Sequence, residues 1–76
     1  MNKVRREALQ EISVAIEDLK SDIEALKDEE QEYIDNMPES LQQSERATMA
    51  EDAVTNMDDV ISSLEEAISS LGESMA

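Results

Sequence analysis

The sequence predicts an all-α fold, an antiparallel two-helix coiled-coil hairpin formed by residues 1–76 as one domain. Three observations predict it. Apolar residues recur at alternating steps of three and four through both halves of the chain. One proline, Pro38, separates the halves. Folding the chain back near Ser40 sets seam against seam with no slip. Leu9 then meets Leu71, Ile12 meets Ile68, Ile16 meets Leu64 and Leu19 meets Ile61. Ile23 meets Met57, Leu26 meets Val54, Glu30 meets Ala50 and Tyr33 meets Ala47. A 3.5-residue repeat is what a helix needs to hold one stripe against a partner helix.

The elements follow in order. Residues 1–7 form a basic lead-in carrying Lys3, Arg5 and Arg6, expected to fray. Helix 1 is expected over about residues 4–36, a stretch free of Gly and Pro. Pro38 ends it, because its ring disfavours helical geometry at the residue before it and clashes with the preceding turn. Residues 37–43 are the connection. Pro38-Glu39-Ser40 suits a short helical turn, with Leu41 expected to tuck beneath it. Ser44 fits the N-cap of helix 2, with Glu45 favourable in its first turn. Helix 2 is expected over about residues 44–72, with Gly72 as its C-terminal stop.

The flanks of the seam differ. With Leu9, Ile16 and Ile23 as a positions, the e positions hold Lys20 and Lys27 on helix 1. Helix 2 holds Glu51, Asp58 and Glu65 there. The expected pairs are Lys20 with Asp58 and Lys27 with Glu51, each worth under about 1 kcal/mol. The g positions are small and apolar: Ala8, Ala15, Ala53, Val60 and Ala67. A hairpin with one wet and one dry edge is expected to form a homodimer, a four-helix bundle, through the dry edge. The alanines alone would serve helix propensity, but Val60 would not.

Composition narrows the function. The chain has 76 residues, 20 acids against 6 bases, and a net charge of −14. It has no Cys and no His, and Tyr33 is its one aromatic residue. Thiol chemistry and thiolate metal sites are excluded, and the commonest general base and metal ligand is absent. No apolar run approaches the roughly 18 residues of a membrane span. No apolar run follows the basic N-terminus either, so no signal peptide is expected. The expected location is the cytoplasm. The charge opposes direct binding to nucleic acid or anionic membrane and favours a basic protein partner.

The densest charge lies at the hairpin tip. Residues 28–45 hold seven acids, Asp28, Glu29, Glu30, Glu32, Asp35, Glu39 and Glu45, and no Lys or Arg. An oxygen-ligand metal site would need an ordered loop such as the EF-hand, which is missing, and a di-iron site would need Glu-x-x-His. Acid–base catalysis would need a pocket that separates two carboxyl pKa values. Neither a metal, a cofactor nor an enzymatic activity is therefore expected. Polyanion mimicry fits better. Acids on successive helical turns repeat about every 5.4 Å, a spacing of the same order as phosphates along a nucleic-acid strand. The expected partner-binding residues are Asp28, Glu29, Glu32, Asp35 and Glu39, assisted by Glu17, Asp18 and Glu24. The alternative is a homo-oligomeric structural or adaptor module whose acids serve only solubility. Glu30, at an a position, is expected to find Arg46 across the seam.

The tract DEEQEYIDNMPESLQQSER (28–46), followed by AEDAVTNMDDVISSLEEAISSL (50–71), resembles short acidic helical-hairpin proteins of phages and prophages. The shared pattern is an acidic run, Tyr-Ile-Asp-Asn, Pro-Glu, Leu-Gln and Ser-Glu-Arg, then Ala-Val and Leu-Glu-Glu-Ala-Ile segments. The resemblance spans most of residues 8–71. It carries no assigned activity and maps no functional position. It implies an accessory phage gene acting in the host cell, a setting that often encodes inhibitors of host enzymes or defence systems.

Overall fold

The computed structural model describes residues 1–76. It comprises helix α1 (Lys3–Asp35), a 3-10 turn (Glu39–Leu41) and helix α2 (Glu45–Met75), with no strand. The two helices pack side by side as a hairpin, giving a rod of 59 × 14 × 12 Å. Its radius of gyration, 17.4 Å, far exceeds the roughly 11 Å of a compact domain this long.

Local chemistry sets the ends. Asn2 caps α1: its side-chain oxygen accepts from the Arg5 backbone N–H at 2.8 Å. Helix therefore begins at Lys3 rather than after a frayed lead-in. At the other end Asn36 caps α1, donating its N–H to the Glu32 carbonyl at 3.0 Å, and Pro38 prevents continuation. The turn is tied by Leu41 N–H to Pro38 O (2.8 Å) and by the Gln42 side-chain amide to Met37 O (3.3 Å). Leu41 is exposed rather than tucked under, and Met37 takes the buried place. Ser44 is the α2 N-cap. Its hydroxyl accepts from Ala47 N–H (3.3 Å) and donates to the Leu41 carbonyl (2.6 Å).

Helix α2 does not stop at Gly72 but runs through it to Met75. A glycine stop needs the left-handed conformation, and Gly72 has no positive φ. No proline follows it, and the Glu-Ser-Met tail carries the helix on.

The seam differs from the expected one on α1. On α2 the partly or fully buried residues are those anticipated, Ala47, Ala50, Val54, Met57, Ile61, Leu64, Ile68 and Leu71, joined by Ala53, Ala67 and, in the last turn, Met75. On α1 the a row (Leu9, Ile16, Ile23, Glu30) faces α2, but the second inward row is Ser13, Lys20, Lys27 and Ile34. The d row stands outside: Ile12, Leu19, Leu26 and Tyr33 are 44–57% exposed. The supposed pairings of Leu19 with Ile61 and Tyr33 with Ala47 are thus not closed core layers. The reason lies in the lysines. Turning α1 toward its e row lays the Lys20 and Lys27 stems over the core while their ammonium groups reach acids on α2. One facing helix cannot also cover the d row.

The ion pairs differ too. Lys27 Nζ meets Asp58 Oδ1 at 2.9 Å and Lys20 Nζ meets Glu65 Oε1 at 3.3 Å. The expected Lys20–Asp58 and Lys27–Glu51 pairs are absent. Side chains on a helix lean toward its own N-terminus. Across an antiparallel pair, both partners therefore lean to lower residue numbers. Long side chains meet with residues further along than the backbone level suggests.

Candidate functional site

Every acid assigned to partner binding is exposed. Glu17, Asp18, Glu24, Asp28, Glu29, Glu32 and Asp35 lie on α1, and Glu39 opens the 3-10 turn. Glycine-free helix holds the α1 set rigidly from the middle of the rod to its tip. None of the eight forms an ion pair, since the salt bridges use Glu7, Asp58 and Glu65 instead. Asp35 accepts a hydrogen bond from the Gln31 amide at 3.0 Å, a neutral contact that leaves its charge uncompensated. The field of the tip therefore projects into solvent.

Bases do little to offset it. Lys27 is the base nearest the tip on α1. The hydrogen bond it donates to Asp58, then the Asp58 charge, hold its ammonium above the usual lysine value. Asp28 and Glu24 add to this, and partial desolvation opposes it. Arg46 makes no ion pair with Glu30, although both line one shallow groove with Tyr33, Met49 and Ala53. Glu30 stays half-buried at the seam edge, near enough to solvent to need no partner.

No three Asp or Glu residues converge as a metal-binding group. No buried side-chain polar atom lacks a hydrogen-bond partner. No helix is long and apolar enough to cross a membrane.

The five residues of the expected dry edge fall on two helices with different exposure. Ala8 and Ala15 are open on α1, Ala53 and Ala67 are partly covered on α2, and Val60 is 44% exposed. The structure adds the displaced d row to this side. Tyr33, Met49 and Ala53 share one groove, so the α1 d row and the α2 g row border the same face. Sequence reasoning missed Ile12, Leu19, Leu26 and Tyr33 as surface residues. The available signal was Lys20 and Lys27, whose long stems could compete for the seam.

No family model matches the chain, and no curated protein or solved structure is similar to it.

Proposed function

We propose that this protein is a non-catalytic, phage-type inhibitor. Its acidic α1 face and tip occupy a basic nucleic-acid-binding site on a host protein, as a DNA mimic does. The observation that carries this reading is the row of eight exposed acids with no paired base along one helix and its tip. Such a rod gains from the counterion and desolvation terms that normally favour nucleic acid. A host defence protein is the class of target the phage resemblance implies.

The chain also self-associates on this reading, through the apolar edge that includes Ala8, Ala15, Ala53, Val60 and Ala67. The exposed apolar face gives independent support to the second reading, a homo-oligomeric adaptor whose acids serve solubility alone. One experiment separates the two. The chain is immobilised, and basic nucleic-acid-binding proteins are captured from a bacterial host lysate at low and high salt, with duplex DNA as competitor. A mimic loses its partner at least about tenfold as salt rises from 50 to 200 mM, and loses it to DNA. Neutralising Asp28, Glu29, Glu32, Asp35 and Glu39 together as amides removes capture while the helical signal stays. These acids pair with no base in the fold, so their charge is not needed for it. Capture that survives neutralisation contradicts mimicry.

A further inference from the structure

We infer that the uncovered apolar face binds a second copy of this chain, laid antiparallel about a two-fold axis that passes beside Asp22–Ile23 and Val60. This deepens the self-association proposed above and rests on it.

Surface area is the first ground. The chain exposes 5655 Å². A compact monomer of 8.5 kDa exposes about 4,700 Å². The excess, about 1,000 Å², compares with the roughly 800 Å² that each partner buries in an interface of standard size. Five of 76 residues are buried, and no large side chain is completely enclosed. A further apolar layer is what such a thin rod lacks.

Symmetry is the second. On α1 the exposed row Ile12, Leu19, Leu26, Tyr33 is centred between Asp22 and Ile23. On α2 the row Ala53, Val60, Ala67 is centred on Val60. The Lys20–Glu65 and Lys27–Asp58 ion pairs bracket both centres, placing them within one helical turn of the same level along the rod. One perpendicular two-fold axis therefore makes both rows self-complementary at once, as an isologous interface requires. Leu19 meets the partner's Leu26, Ile12 meets the partner's Tyr33, Ala53 meets the partner's Ala67, and Val60 meets its own copy.

Charge is the third. Lys3, Arg5 and Arg6 sit at the open end, while residues 28–45 carry seven acids and no base at the tip. The antiparallel arrangement brings Arg6 to the level of the partner's Glu39. A parallel arrangement would stack one acidic tip upon the other. The antiparallel one leaves the outer acids of α1 facing solvent, with Asp22 and Glu29 flanking the seam on α1. Its weak point is Asp22, exposed beside the axis, where two copies bring two carboxylates together.

Sedimentation equilibrium of the full chain from about 1 to 500 μM is the first test. The expected result is a species of twice the monomer mass, tightening with added NaCl and tightening several-fold in Asp22→Asn. Leu19→Glu with Leu26→Glu shifts it to a helical monomer. If that variant unfolds, the Asp22→Asn gain still carries the test. Val60→Cys then reads the geometry: mild oxidation couples it into a covalent dimer, while Ser62→Cys on the outer surface couples poorly. A monomer at every concentration overturns self-association altogether. A dimer in which Ser62→Cys couples as well as Val60→Cys, or in which Asp22→Asn changes nothing, overturns this axis while leaving self-association standing.

Discussion

Replacing Ala47 by leucine probes the tightest point of the rod. Ala47 is 0% exposed, and the buried Met37 and Ala50 lie at the same end of the hairpin. Ala47 has no exposed surface of its own, so three added carbons must displace the groups that enclose it. Overpacking of this kind costs about 1–3 kcal/mol. A chain of 76 residues has roughly 4–11 kcal/mol of stability in all. At about 4–8 °C per kcal/mol for a domain this small, Ala47→Leu lowers Tm by roughly 5–20 °C. Ala25→Leu is the control, because Ala25 lies on the exposed side of α1 away from the seam. It changes stability by no more than about 0.5 kcal/mol. Thermal unfolding followed by circular dichroism, with all chains at one concentration, reads both. Equal losses at 47 and 25, or no loss at 47, would refute the packing described here.

Other expectations follow from single features. Ser44→Ala removes the α2 cap and lowers stability by about 1 kcal/mol in urea unfolding. Gly72→Ala raises it by about 0.5–1 kcal/mol, because Gly72 is helical and an added Cβ meets nothing within 4 Å. A loss on Gly72→Ala would mean that the helix ends earlier. Lys27 holds its proton more tightly folded than unfolded. Its contribution is therefore complete below about pH 10.4 and fades as pH climbs through the raised folded value. Urea midpoints measured from pH 9 to 12 fall less steeply in Lys27→Met than in the parent chain. Added NaCl at neutral pH raises Tm, since a net charge of −14 repels itself within the fold.

Much of this architecture was legible in the sequence, and the illegible parts have physical causes. The apolar repeat, the proline break and the Ser44 cap each act within a few residues, so two helices and their turn could be placed. The facing surface of α1 could not. Hydrophobic periodicity scores Lys20 and Lys27 as polar, yet their stems count as apolar once Glu65 and Asp58 receive their heads. The ion-pair partners were missed by one heptad because spacing along the chain ignores the lean of side chains. Gly72 was a weak stop, for glycine permits a left-handed residue without requiring one. The exposed acids were legible from composition alone. Their freedom from ion pairs needed coordinates.

The rotation of α1 against α2 creates the uncovered face. Nitroxide labels on a chain without native cysteine read it directly. Leu19→Cys and Lys20→Cys are labelled singly and compared for mobility and collision with a water-soluble relaxation agent, at a dilution that keeps the chain monomeric. With Lys20 half-buried against α2 and Leu19 57% exposed, the label at 19 is the more mobile and the more accessible of the two. A label at 19 that is immobilised and shielded while the one at 20 is free would return Leu19 to the seam and contradict the uncovered face.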